Sequence, residues 1–135
     1  MHREAAVLFG IALLLVGAMG FVPGVTDNGH LMGIFQVDVA HNIVHLASGA
    51  AALLAAWAGR RAARAYFLGF GVLYGLVALL GFAYGNAPIL GILANNAADS
   101  WLHVMIAATA LAIGVVEMET SAGASDKGFE AWTRR

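Results

Sequence analysis

Four long apolar stretches, joined by connections whose charges sort by sign, constrain this 135-residue chain more than anything else in it. The stretches are Ala5–Val22, Val39–Ala58, Ala65–Gly85 and Ser100–Val116. Each has roughly 17–21 residues, the length that a hydrocarbon core of about 30 Å requires. The Lys and Arg residues are Arg3, Arg60, Arg61, Arg64, Lys127, Arg134 and Arg135. All of them lie before the first stretch, between the second and third, or after the fourth. The other two connections, Pro23–Asp38 and Asn86–Asp99, carry only Asp27, Asp38 and Asp99. Cations gather on the cytoplasmic side of membrane proteins, so this alternation predicts four spans with both termini cytoplasmic and the two longer loops outside.

Composition agrees. Hydrophobic residues make up 61% of the chain and charged residues 11%, against roughly 45–50% and 25% in soluble domains. So short a chain cannot bury that much apolar surface in water. A net charge of -1 gives no basic surface for nucleic acid, and the absence of cysteine excludes disulfides and thiolate ligands. The expected architecture is an all-α integral membrane protein with a four-helix transmembrane domain over residues 1–116. Residues 117–135, which include Ser-Ala-Gly-Ala-Ser, read as a flexible cytoplasmic tail.

An internal repeat organises the spans. Phe9, Gly10, Gly20 and Phe21 recur as Phe70, Gly71, Gly81 and Phe82, while Gly33-Ile34 and Val44-His45 recur as Gly91-Ile92 and Leu102-His103. The chain is therefore two tandem helical hairpins of the same orientation, related by a pseudo-two-fold axis along the membrane normal. This makes the first stretch half of a hairpin rather than a cleaved signal. Glycines four apart, at Gly20/Gly24, Gly71/Gly75 and Gly81/Gly85, are candidates for close helix packing. Trp57, Trp101, Tyr84 and Tyr66 are expected at the membrane interfaces.

The repeat also aligns two polar clusters, Asp38-Val-Ala-His41-Asn42-Ile-Val-His45 and Asn96-Ala-Ala-Asp99-Ser100-Trp-Leu-His103. Asp38 and Asn96 fall at helix N-cap positions, and Asp99 places a carboxylate near a positive helix end. His45 and His103 lie roughly 10 Å inside their helices at 1.5 Å per residue. At that depth an ionisable side chain faces the bundle interior and has a partner. His41 and Asp99 share their faces one turn above. The simplest reading is a set of neutral histidines pinning the hairpins together through each other, Asp99, Asn42, Ser100 or loop carbonyls. Two others are open: a transition-metal site from His41, His45, Asp99 and His103, or a haem held by His45 and His103.

Gly20-Phe-Val-Pro, Gly33-Ile-Phe, His41-Asn-Ile-Val-His45, Gly71-Val-Leu-Tyr74, Gly91-Ile-Leu and Ala98-Asp-Ser-Trp-Leu-His103 together resemble the bacterial membrane family called domain of unknown function 4383. The resemblance implies a small four-span protein of the bacterial inner membrane. It brings no activity, and it centres on His45, Asp99 and His103 rather than His41. With no nucleophile–base pair and no phosphate-binding loop, the expected role is non-enzymatic: a structural unit or accessory subunit of a larger membrane complex, with lipid and other subunits as partners.

Overall fold

The four apolar stretches form four helices in a computed structural model that describes residues 2–133, with side chains described for 2–116. They are α1 (His2–Met19), α2 (Val39–Ala58), α3 (Arg60–Tyr84) and α4 (Ala97–Thr133). Each is long and apolar enough to cross a membrane, α4 through its segment Ala97–Val116. The expected flexible tail at 117–135 lies outside the residues whose side chains are described.

α1 packs on α2 and α3 on α4, with lighter contacts between the pairs, as two hairpins in tandem require. The repeat is visible in the packing. A Cβ on Gly10 would stand 2.9 Å from the carbonyl oxygen of Gly49 and 3.0 Å from Leu53. A Cβ on its counterpart Gly71 would stand 3.1 Å from the Ala107 carbonyl and 2.7 Å from Leu111. Both hairpins therefore close through a side chain reduced to hydrogen, the device that lets lipid-embedded helices approach. The close approaches fall at Gly10, Gly17, Gly20, Gly49, Gly71, Gly81 and Gly114. Gly75 meets only Ala107, at 3.9 Å, and Gly24 and Gly85 lie beyond the helix ends.

The buried core is narrow: small residues (Ala6, Ala56, Ala63, Ala107, Ala110) alternate with Leu13 and the α3 aromatics Phe67, Phe70 and Tyr74. Leucines such as Leu8, Leu15, Leu54 and Leu79 point outward, where hydrocarbon is the natural solvent. Tyr66 turns inward, against the expectation of an interfacial anchor: its ring stacks on Phe70 and its hydroxyl donates to the Ser48 carbonyl at 3.1 Å.

At one end, the arginine end, α2 and α3 are joined by Gly59 alone, at φ 118, a conformation that favours glycine. Helix α3 thus begins five residues before the expected Ala65. Apolarity stops at the arginines, but Arg and Ala are strong helix formers and the helix does not. The same distinction carries α1 back to His2. Arg3 donates through Nε to the Ala56 carbonyl at 2.9 Å, and Arg64 to the Gly114 carbonyl at 3.2 Å. These are equivalent positions in the two hairpins, although the Ala56 carbonyl lies in the last turn of α2 and the Gly114 carbonyl lies within α4.

The opposite end, the loop end, departs from a purely helical plan. The first loop folds into a small antiparallel meander, β1 (Thr26–Asp27), β2 (His30–Leu31) and β3 (Phe35–Gln36). Leu31 pairs with Phe35, and their counterparts Ile89 and Leu93 form a bridge in the second loop. Between the partners, Met32-Gly33 and Leu90-Gly91 both take left-handed conformations, with φ 55 and 71, then 53 and 73. Two consecutive positive φ values make the tight turn that suits a hairpin. The repeat therefore extends through the loops.

Candidate metal centre

The two loops cross over one another to fix the first turns of α2 and α4. Asp38 caps α2, its Oδ1 accepting from the His41 amide at 2.7 Å, while Oδ2 accepts from the Ala94 amide in the other loop at 2.9 Å. Asn96 caps α4 reciprocally: its Oδ1 accepts from the Asp99 amide at 3.0 Å, and Asp99 Oδ2 accepts from the Asn96 amide at 2.9 Å. This is the two-way arrangement of a capping box. Asp99 Oδ2 also accepts from the Gln36 amide at 3.0 Å, and Asn96 Nδ2 donates to the Ile34 carbonyl at 2.8 Å. Each hairpin's helix start is thus tied to the other hairpin's loop. The expected cap roles of Asp38, Asn96 and Asp99 are all present.

Those ties bring His41, His45 and His103 together. One ring nitrogen from each lies within 4.8 Å of the other two, and all three side chains are buried. Ring centroids are 5.0 Å apart for His41–His45, 5.7 Å for His41–His103 and 6.2 Å for His45–His103. Asp99 stands beside the group rather than in it, with its Oδ2 turned back to the Asn96 and Gln36 amides. Of the four ligand candidates, the fold converges the three imidazoles.

Proton positions follow from the partners. His41 Nδ1 lies 2.9 Å from the Ala94 carbonyl oxygen, which only accepts, so Nδ1 carries the proton and Nε2 offers its lone pair inward. His41 Nε2 and His45 Nε2 are 3.0 Å apart, and between neutral rings His45 donates. His45 Nδ1 and His103 Nδ1 are buried without any hydrogen-bond partner. An orphaned buried nitrogen costs about 1–3 kcal/mol, so two at one place are a cost that the hydrogen bonds among the imidazoles do not offset.

The imidazoles form the polar floor of a cavity of about 230 Å³ between α2, α3 and the second loop. Its remaining walls are Val44, Leu73, Val77, Ile89, Leu93 and Ala94, with Tyr74 standing edge-on to His103 at 5.4 Å. The Tyr74 hydroxyl donates to Ser48 Oγ at 3.3 Å. Beneath the second loop, buried Asn95 donates to the carbonyls of Gly81 at 3.1 Å and Gly85 at 2.6 Å, closing the end of α3.

Two participants escape a reading of the sequence alone. The Ala94 carbonyl orients His41, but a backbone group has no side-chain signature. Tyr74 had one faint signal, a lone phenol in mid-span, a place where a hydroxyl needs a partner. No curated protein and no solved structure matches the chain. The sequence profile of a domain of unknown function, DUF4383, matches residues 3–116, the whole four-helix unit through the described side chains of α4, and the chain belongs to that family.

Proposed function

We propose that this chain is a membrane protein that holds a first-row transition-metal ion between its two hairpins, with His41, His45 and His103 as ligands. The observation that carries the reading is the convergence of three buried imidazole nitrogens within 4.8 Å. Ligands about 2.0–2.1 Å from one ion stand roughly 3–4 Å from each other, so this set closes on an ion with shifts of about 1 Å. The hydrogen bond from His41 Nδ1 to the Ala94 carbonyl is the outer-shell contact that fixes a ligating histidine's tautomer and ring plane. All-imidazole ligation suits zinc, copper or iron rather than calcium or magnesium. A haem across His45 and His103 fits less well, since even drug-sized ligands occupy about 300–1,000 Å³ and the cavity has about 230 Å³.

The arginines orient the molecule in this reading. With Arg3, Arg60, Arg61 and Arg64 on the cytoplasmic side of a bacterial inner membrane, the histidines lie near the outer surface. The role is non-enzymatic metal holding.

A second reading is favoured by the 3.0 Å contact between His41 and His45, in which the imidazoles only pin the hairpins of a structural unit or accessory subunit. Metal analysis of the full chain in lipid nanodiscs, after loading with Zn²⁺ or Cu²⁺ and desalting, separates the two. One ion per chain, lost in His103→Ala, is expected. No retained ion after loading would leave the pinning reading in its place.

A further inference from the structure

We infer that an ion held by His41, His45 and His103 keeps one coordination position for a small uncharged diatomic molecule, of the class of dioxygen or nitric oxide, that arrives through the bilayer. This rests on the metal reading above and adds to it a ligand and a route.

Three protein donors leave a fourth position of a tetrahedral ion vacant, the arrangement of metal sites that bind an exogenous ligand rather than of closed structural sites. Asp99 does not stand in the converging set, which is the three imidazoles alone, and its Oδ2 accepts from two backbone amides. What adjoins the imidazoles instead is the cavity. Its volume of about 230 Å³ is below the range that holds a drug-sized molecule. Its other walls are almost wholly hydrocarbon, so a charged ligand would shed its hydration on the way in and meet no polar group before the ion itself. A neutral diatomic loses little hydration on entering.

The position of the mouth names the route. On the side toward the loops, Ile89 and Ala94, 3% and 8% exposed, close the cavity against water. On the side between α2 and α3 it is bordered by Val44 and Leu73, 38% and 55% exposed. Those two belong to the outward surface that also carries Ile43, Val72 and Leu76, which faces acyl chains in a four-span protein. The cavity therefore opens sideways into lipid, where uncharged diatomics dissolve more readily than ions.

The test uses the full chain in nanodiscs, loaded anaerobically with Fe²⁺ and exposed to nitric oxide. The nitrogen of nitric oxide coordinates the iron, and no group leaves. Electron paramagnetic resonance reads the half-integer-spin iron–nitrosyl signal, and metal analysis reads the iron content separately. The expected result is a nitrosyl signal in the parent protein and its loss in both Leu73→Trp and Val77→Phe, at unchanged iron content. Leu73 faces outward, so its variant adds bulk at the mouth without entering the core. Azide, a small triatomic anion, is expected to bind the same iron far less readily, because it must cross hydrocarbon to reach it. Iron bound with no nitrosyl signal would overturn this inference and leave the metal reading standing. Adduct formation undiminished by both variants, or azide binding as readily as nitric oxide, would overturn the lipid route. Failure to retain iron, zinc or copper at all would remove both the metal reading and this one.

Discussion

The first turns of α2 and α4 occupy equivalent places in the two hairpins, yet their second polar residues do opposite things. His41 reaches the Ala94 carbonyl of the other loop and His45 one turn further along its own helix, while Asp99 turns back to the Asn96 amide that begins its own helix. The cap residues differ in the complementary sense. Asp38 spends one carboxylate oxygen on its own helix and one on the Ala94 amide; Asn96 has one acceptor oxygen, so Asp99 supplies the carboxylate that reaches Gln36. Gln36 and Ala94 are themselves equivalent positions. The same inter-loop bond is therefore made twice, by carboxylates at two different positions of the repeat. The repeat builds a symmetric frame, and one exchange within it frees His41 to join the histidine common to both helices. Three imidazoles result from a two-plus-one arrangement that perfect symmetry would not give.

The sharpest way to break this comparison is to remove the imidazole that hairpin two contributes. His103→Ala should lower zinc affinity by more than about 100-fold, because disturbing even an outer-shell partner of a metal ligand costs about 10–100-fold. Asp99→Asn, at the position equivalent to His41, should change it by far less. Calorimetric titration of Zn²⁺ into both variants in nanodiscs checks this. Equal losses would mean that Asp99 is a ligand and that the carboxylate swings inward when the ion binds.

The frame should respond alike in both hairpins. Gly10→Val and Gly71→Val each force a side chain against a carbonyl and a leucine of the facing helix, at 2.9 and 3.0 Å in one case and 3.1 and 2.7 Å in the other. Overpacking of that kind costs about 1–3 kcal/mol, and the two losses should agree within about 1 kcal/mol. Thermal or denaturant unfolding in mixed micelles measures both. If one were neutral and the other severe, the hairpins would not share a packing mode.

Much of this frame was legible in the sequence. Apolar length marked the spans, paired glycines and histidines marked the repeat, and Asp38 and Asn96 marked the helix starts. Three things were not legible, each for a physical reason. The strands of the first loop have two residues apiece, too few for alternation to show. The start of α3 was hidden because hydropathy reports where lipid ends, while Arg60–Arg64 continue the helix beyond it. At the site, the sequence put Asp99 among the ligand candidates because it shares a helix face with His103. Which way its carboxylate points depends on the Gln36 amide, far away along the chain. Spacing shows which side chains are able to meet, and a rotamer decides which do.

The inter-loop bonds offer a smaller effect. Asp38→Ala and Asp99→Ala each remove a cap and a bond to the opposite loop, at 2.9 and 3.0 Å. Loss of a capping side chain costs about 1 kcal/mol, with range about 0.5–2 kcal/mol. The two variants should be destabilised similarly despite their different positions in the repeat, and hydrogen exchange should rise at Ala94 in the first and at Gln36 in the second. Exchange rising at neither amide would dissolve the claim that one bond is made twice.

The smallest effect belongs to Tyr74, which borders the imidazoles without a counterpart in hairpin one, where the equivalent residue is Leu13. Its ring stands edge-on to His103 at 5.4 Å and stacks on Phe70 at 4.0 Å, so its bulk shapes the cavity wall. Its hydroxyl points elsewhere, to Ser48 Oγ at a long 3.3 Å. Tyr74→Phe keeps the ring and removes only that bond, and side-chain bonds between membrane helices average about 0.6 kcal/mol. Unfolding free energy should fall by about that much, with zinc affinity unchanged. A marked loss of affinity in Tyr74→Phe would place the phenol oxygen in the metal's surroundings and move the asymmetry between the hairpins from α2 to α3. Tyr74→Leu, which copies hairpin one, should instead widen the cavity beside His103 and leave the His41–Ala94 contact intact.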